Sequence, residues 1–487
     1  MKLIFRGHDD RYAVEQSLLA FFPEERPVYE PAEDGEDHAL VTLSRSPRYN
    51  TAVTTITYHG RTARGISRTA VDPQLTEYEA ERLRQKAVKL SFFKAAREIT
   101  GITPSWGALT GIRPGKLASR MLEEGMTERQ VDRVLRDTYF VSPERRRLCI
   151  ETAEASRRAK AELKPEDISL YVGIPFCPTR CAYCSFVSQS VERTLGLVEP
   201  YLEVLHREIT DAARMVQETG LHIKSFYMGG GTPTTLSARQ LDRVLTRCEQ
   251  VLPLEGCTEL TVEAGRPDTI NREKLEVLRA HGVGRVSINP QTLEDHVLES
   301  IGRKHSSGDI QTAYDLARKV GFDCINMDLI AGLPLDSLGG FRRSLDGVLA
   351  MGPENITVHT LALKKGSTLI QRKGALPGGE EVAQMLDYSR TTLSGGYLPY
   401  YLYRQKYMSG SLENVGWARP GTESLYNIVM MEELHTVISL GAGGVTKLID
   451  PQSGRLLRLS NPKYPQDYLS AGEKLAEQQR EMLAFFR

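Results

Sequence analysis

Three cysteines stand close together in Cys177-Pro-Thr-Arg-Cys181-Ala-Tyr-Cys184. Thiolates bind soft metals and iron–sulfur clusters. Three clustered ligands with no fourth nearby fit a four-iron cluster in which one iron lacks a protein ligand and can bind a substrate or cofactor. Spacing alone also admits structural zinc, which usually takes four closed ligands, or unrelated thiols. Cys149, Cys248, Cys257 and Cys324 are expected to be buried small residues. A second feature is the run GGGTP, Gly229 to Pro233. Consecutive glycines let a backbone approach a ligand and expose its polar groups, although loops use glycine widely. Further polar residues follow in order: Glu263, Gln291, Arg303 in IGRKH and Asp328 in MDLIAGLP. Taken singly, each would be an ordinary strand-end or surface residue.

Positioning such residues requires a regular scaffold, and the sequence supplies one. Short β-branched or apolar runs recur at ISLYVGI (168–174), SFYMG (225–229), ELTVEA (259–264), RVSIN (285–289), CINMDLI (324–330) and ITVHTLAL (356–363). Each is followed by a helix-like stretch, which is the signature of a parallel α/β sheet. Right-handed crossovers wind such a sheet into an open or closed barrel. Ligands in these folds sit at the carboxyl ends of the strands, where the unusual residues cluster. Residues 1–165 read as an N-terminal α+β domain with no assigned role. ALVTL (39–43) and TAVTTITYH (51–59) look like strands, and helices are expected from Thr76 onward, with Thr127 and Ser142-Pro143 opening new ones. KPEDI (164–168) reads as a linker. The core is expected at 166–375 and a C-terminal α+β extension at 376–487.

The 487 residues carry 62 Lys plus Arg and 62 Asp plus Glu, a net charge of zero. That balance argues against bulk affinity for nucleic acid or an anionic membrane. No apolar run approaches the roughly 18 residues of a membrane span. MKLIFRGHDDRY has too short an apolar stretch for a signal peptide. A cytoplasmic protein is expected, in which seven cysteines serve metal or catalysis rather than a disulfide scaffold.

The spacing CxxxCxxC, with Tyr183 before the third cysteine, resembles the radical S-adenosylmethionine (SAM) superfamily. The resemblance implies a partial (β/α)6 barrel holding a [4Fe-4S] cluster at Cys177, Cys181 and Cys184, whose open iron binds SAM. Reduction of the sulfonium would give a 5′-deoxyadenosyl radical that abstracts hydrogen from substrate. Residue by residue, it implies that Gly230, Gly231 and Thr232 form the methionine-binding loop and that Arg303 pairs with the methionine carboxylate. Glu263 would meet ribose or amine, and Asp328 the ribose hydroxyls. Gln291 follows the fourth strand at a family position, and Tyr171 and Ala362 match the porphyrinogen subgroup.

LYVGIPFCPTRCAYCSF, GGGTP and DLIAGLP resemble the oxygen-independent coproporphyrinogen III dehydrogenase group. VEAGRPDTI, YLYRQK, LENVGWARPG, LGAGG and the early TGIRPGKL point to its HemZ-like branch. Two departures bear on function. The dehydrogenases carry a fourth cysteine where this chain has Phe186. The haem-chaperone branch carries His-Asn-x-x-Tyr-Trp where this chain has Tyr426-Asn427-Ile428-Val429-Met430-Met431. The expected activity is oxidative decarboxylation of coproporphyrinogen III propionates to vinyls, giving protoporphyrinogen IX. The alternatives are a haem-binding transfer protein and a radical enzyme that modifies haem. Expected partners are a tetrapyrrole and an electron donor such as flavodoxin or ferredoxin. Tyr400, Tyr401, Tyr403, Arg404, Lys406 and Tyr407 have the chemistry of a tetra-acid site, but also of a strand whose tyrosines pack on the sheet. Arg61, Arg64 and Arg68 read as a solvated loop. His359, after the sixth strand, can approach the site or be a satisfied strand-end histidine.

Overall fold

The computed structural model describes the chain apart from residues 34, 112, 185–188, 191–193, 364–366, 368, 370–375 and 406–407. Phe186, Lys406 and Tyr407 therefore lie outside the described residues. The chain divides into two units, Met1–Ile150 and Glu151–Arg487.

In the first unit, period-two alternation gives a sheet ordered β1 (Lys2–Arg6), β2 (His38–Arg45), β3 (Tyr49–Tyr58) and β4 (Arg61–Ala70). Strand β1 is parallel to β2, and the other pairs are antiparallel. Val41, Ala52, Ile56 and Ala63 form a core with residues of the helices Arg11–Phe21 and Glu77–Thr100. The three arginines read as a loop belong instead to β4. The pleat puts Arg64 and Arg68 on one face and Arg61 on the other. Ala, Gly and Ser are poor strand formers, so β4 is hard to read in sequence. Packing decides it: a Cβ on Gly65 would fall 2.0 Å from the Ser91 carbonyl oxygen of the long helix. That helix starts at Thr76 with a capping box to Glu79 and ends at left-handed Gly101. Thr127 and Gln130 cap the helix Glu128–Asp137 in the same way.

The second unit holds β5 (Asp167–Ile174), β6 (Phe176–Cys177), β7 (Gln189–Ser190), β8 (His222–Gly230), β9 (Glu259–Gly265), β10 (Arg285–Ile288), β11 (Cys324–Ala331) and β12 (Asn355–Thr360). Strands β5 and β8 to β12 are the six expected runs, and each neighbouring pair is parallel. Beyond β12 come β14 (Asn414–Ala418) and β13 (Leu398–Tyr403), both joined antiparallel. Beyond β5 come β15 (Val437–Leu440), parallel to it, then the antiparallel β16 (Val445–Ile449) and β17 (Leu456–Ser460). The 11-stranded sheet thus runs from β13 to β17. It is a partial (β/α)6 barrel extended at both edges by the C-terminal strands. Among the described residues, no helix is long and apolar enough to cross a membrane.

The helix Val198–Thr219 fixes the end of the sheet that matters for chemistry. Tyr201 donates its hydroxyl to Gly173 O at 2.6 Å and accepts from Ala442 N at 3.1 Å, bracing the exits of β5 and β15. Two turns on, the buried Glu208 carboxylate accepts from Gly441 N (2.7 Å), Asn461 Nδ2 (2.7 Å) and Tyr468 Oη (2.5 Å). Glu208→Ala would strand three buried donors. It is expected to lower the unfolding free energy by about 3 kcal/mol or more, measured by urea denaturation. A loss under about 1 kcal/mol would show that these donors find other acceptors.

Candidate cluster and cofactor site

The chain leaves β5 through Pro175 into β6, which delivers Cys177. The glycine run leaving β8 lies directly against this segment. Gly231 N donates to Ile174 O and Thr232 N to Phe176 O, each at 2.8 Å. A Cβ on Gly231 would fall 2.5 Å from Phe176 O, so only glycine permits this crossing. Gly230 N–H goes to the Glu263 carboxylate. The N–H groups of Gly230, Gly231 and Thr232 are therefore engaged within the protein. The crossing brings Thr232 Oγ1 to 3.5 Å from Cys177 Sγ.

Cys181 and Cys184 follow in a tight turn, with Cys184 N bonded to Cys181 O at 3.1 Å. Among the described residues, no three His, Cys, Asp or Glu side chains form a group able to hold a metal ion. None of the seven cysteines is disulfide-bonded. Cys149, Cys248 and Cys324 are buried as expected, and burial pushes the Cys248 and Cys324 thiols up to about 12. Cys257 differs in being only half-buried.

Arg303 reaches over the same turn. Its Nη1 donates to Asn289 O (2.5 Å) and its Nη2 to Tyr183 Oη (3.2 Å), and Cys181 faces the same guanidinium. Arg303 Nε and Asn289 Oδ1 are buried and make no hydrogen bond among the described residues. Unpartnered polar atoms beside three cysteines fit a polar cofactor that completes them. Burial pushes the Tyr183 hydroxyl well up, so it stays protonated.

The remaining residues line the strand ends. Glu263 accepts from Tyr227 Oη at 2.6 Å. Burial pushes its carboxyl up to about 7, with nearby Asp328 adding to the rise and the Tyr227 hydrogen bond opposing it. Asp328 is held below the ordinary value. Burial opposes this, but His359, Asn326 and Thr357 outweigh it. Its carboxylate accepts from Asn326 Nδ2 at 2.7 Å and lies 3.5 Å from His359 Nε2. His359 is thus both satisfied and at the site. Gln291, at a left-handed φ of 69°, is locked to β11 by its N–H to Asp328 O and its carbonyl to Ile330 N. Ala362 makes an isolated bridge with Met408 at the far edge of this row.

Tyr171, Tyr227 and Tyr426 form a stack inside the barrel. Tyr227 and Tyr426 centroids are 4.3 Å apart at 19°, and Tyr171 is 6.2 Å from each. Tyr426 sits at the start of the helix Leu425–Glu432, whose N-terminus is held by Glu259. That carboxylate accepts from Ser424 Oγ (2.9 Å) and Leu425 N (2.7 Å). Strand β9 therefore holds Tyr426 at its start, through Glu259, and Tyr227 near its end, through Glu263. The Tyr-rich segment takes the structural alternative in part. Tyr400 and Tyr401 are buried in a core cluster, and Arg404 is tied to Ser411 O at 2.6 and 3.2 Å.

Sequence reasoning missed Tyr227, Arg266 and Asn289. Arg266 lies in the quoted VEAGRPDTI, and Asn289 closes the run RVSIN, so strand-end polarity was the available signal. Tyr227 carries no such mark, since it reads as an ordinary strand aromatic.

A model of the radical SAM superfamily matches residues 171–345. The oxygen-independent coproporphyrinogen-III oxidase-like protein HemZ of Bacillus subtilis is 38% identical over 95% of this chain and 93% of its own length. The heme chaperone HemW of the same organism is 33% identical over 53% of this chain and 66% of its own. The solved structure of coproporphyrinogen III oxidase (HemN) from Escherichia coli, a radical SAM enzyme, superposes with a TM-score of 0.53 at 24% identity, over 67% of this chain and 73% of that one. The superfamily uses a [4Fe-4S] cluster and SAM. The chain belongs to the radical SAM superfamily and, within it, to the HemZ-like branch of the oxygen-independent coproporphyrinogen oxidase group.

Proposed function

We propose that this protein is a cytoplasmic enzyme that oxidatively decarboxylates propionate side chains of a reduced tetrapyrrole, with coproporphyrinogen III as the substrate. Each propionate would lose a β-hydrogen atom to the deoxyadenosyl radical, carbon dioxide, and one electron to a one-electron acceptor, leaving a vinyl group. Done twice, this gives protoporphyrinogen IX. When bound, the cluster and SAM supply the hydrogen-atom abstraction. A low-potential one-electron donor such as flavodoxin or ferredoxin would reduce the cluster.

The chain's own residues have separable tasks in this reading. Cys177, Cys181 and Cys184 hold three irons. The Gly230–Gly231–Thr232 crossing and Arg303 would receive the methionine portion of SAM, whose carboxylate would pair with the Arg303 guanidinium. Glu263 and Asp328 take the amine and ribose, while Gln291, Tyr171, Tyr183 and Ala362 complete the wall. The tyrosine stack keeps water from the barrel floor.

The observation that carries an enzyme over a haem carrier is Tyr426. It replaces the chaperone's histidine, and its ring is buried against Tyr227 rather than offered to a haem iron. A carrier needs a stable axial ligand, commonly His or Cys. His435, further along, is buried and bonded to Ser169 Oγ at 2.8 Å.

A paired titration tests the reading. Coproporphyrinogen is expected to stimulate deoxyadenosine release from the reduced, SAM-loaded protein, with the vinyl product seen by mass spectrometry, while haem binds weakly and without stoichiometry. Stoichiometric haem binding without substrate-dependent cleavage would make the protein a carrier. Haem-dependent cleavage would make it a haem-modifying enzyme.

Arg303→Ala is expected to weaken SAM binding by about ten- to a hundredfold, as for loss of a charge-assisted pair, with iron content unchanged. Equal SAM affinity in calorimetry would remove Arg303 from the site.

Glu263 gives a pH signature. Its folded value of about 7 lies above the ordinary 4.5, so it favours the protonated state. The stability it contributes is complete below 4.5 and is lost as pH rises through about 7. SAM is cationic at its sulfonium and prefers the carboxylate. Its affinity should therefore rise with pH through about 7, and Glu263→Gln should flatten that profile. A flat wild-type profile would place Glu263 away from SAM.

A further inference from the structure

Cys181 has two buried guanidinium groups beside it. Arg266 leaves β9 directly and is only 2% exposed, so its charge must be compensated within the protein. Nε and Nη2 reach Asp268 Oδ1 and Oδ2 at 2.9 and 2.7 Å, a bidentate pair. Nη1 points the opposite way. It donates to Thr179 Oγ1 at 2.7 Å and Thr179 O at 3.1 Å, and it meets Cys181 Sγ at 3.9 Å. Behind the pair, His305 Nδ1 lies 3.7 Å from Asp268 Oδ1. One guanidinium thus clamps the Thr179–Cys181 segment to the end of β9. Cys181 faces both Arg266 and Arg303.

We propose that Arg266 is a positioning residue that sets the electron affinity of the cluster through the Cys181 thiolate. The inference rests on the reading that Cys177, Cys181 and Cys184 hold a four-iron cluster. Reduction by a one-electron donor adds one negative charge to the cluster and its thiolates. A buried cation with an N–H directed at one of those sulfurs stabilises the added charge and raises the reduction potential. Asp268 holds the guanidinium in place and also offsets its charge. Removing either partner of the pair should therefore move the potential in opposite directions. A residue that only held the loop would change iron loading and leave the potential alone.

The test is an EPR-monitored potentiometric titration of anaerobically reconstituted full-length protein, without SAM, after iron and sulfide have been counted. Arg266→Gln is expected to lower the reduced-to-oxidised ratio at a fixed potential about tenfold, which is about 59 mV for one electron. Arg266→Lys, which keeps the charge but not the fork, should fall between. Asp268→Asn leaves the guanidinium bonded to Thr179 and should shift the midpoint upward. Variants with normal iron content and the wild-type midpoint would overturn the proposal. Should the Arg266 variants fail to load iron, Asp268→Asn decides: an unmoved or lowered midpoint overturns it. A wild-type protein that forms no four-iron cluster would instead sink the underlying reading of the three cysteines.

Discussion

The cysteine segment stands over the sheet because two backbones cross with nothing between them. Gly231 passes Phe176 so closely that any Cβ would strike its carbonyl oxygen at 2.5 Å. The N–H groups of Gly231 and Thr232 close the crossing with hydrogen bonds to Ile174 O and Phe176 O. Everything in the site is referenced to this contact. It sets where Cys177 emerges and carries Thr232 to its sulfur. It also aims the Gly230 N–H at Glu263, so that β5, β8 and β9 share one fixed corner. The far side of β5 is braced separately by Tyr201, which ties Gly173 to Ala442. The crossing fixes the start of the cysteine loop, which is what a site for a polar cofactor requires.

From that corner a second chain of dependence runs into the barrel. Glu263 receives the Tyr227 hydroxyl, Tyr227 stacks on Tyr426, and Tyr426 opens a helix whose N-terminal groups are held by Glu259. Both acids belong to β9, and their spacing along it matches the pleat, so both side chains face the same way. An aromatic floor with a buried carboxyl at its edge is a low-dielectric surface beside a titratable group. This is why Glu263 sits near neutrality while Asp328, two strands away with His359 beside it, remains ionised.

Most of the barrel was legible because its signals are local. Six β-branched runs each became a strand, and Thr76 and Thr127 capped helices as their side chains require. The cysteine spacing and the strand-end acids were legible for the same reason. What stayed hidden depends on partners distant in sequence. β4 is made of small and basic residues, and only the helix lying on Gly65 makes it a strand, so its arginines passed for a loop. Tyr227 gains meaning from Glu263 and Tyr426, which lie 36 residues and nearly two hundred residues away. Arg266 was visible as a residue but not as a partner of Cys181, because the turn that brings them together is set by the glycine crossing. The glycine triplet stands at the end of β8, where its glycines serve a crossing of two backbones. Glycines in a row state that something must come close, not what.

The same geometry bears on how a carrier and an enzyme can share one scaffold. The strand ends and cysteine loop are braced by contacts within β5, β8 and β9, none of which involves the helix Leu425–Glu432. That helix meets the rest through its N-terminal bonds to Glu259, the face of Tyr426, the Asn427 Nδ2 bond to Tyr400 Oη at 3.2 Å, Ile428 packed with Tyr400 and Tyr401, and the Lys447 Nζ bond to Met430 O at 3.1 Å. Exchanging a histidine for a tyrosine at its first turn therefore changes what lies over the barrel floor without disturbing the corner that holds the cysteines. A histidine there presents a lone pair to a metal. A tyrosine kept protonated by burial presents only a ring face. Radical chemistry and haem ligation would thus make separate demands on two parts of one sheet, and in this chain the first turn of that helix carries a buried tyrosine that packs on Tyr227.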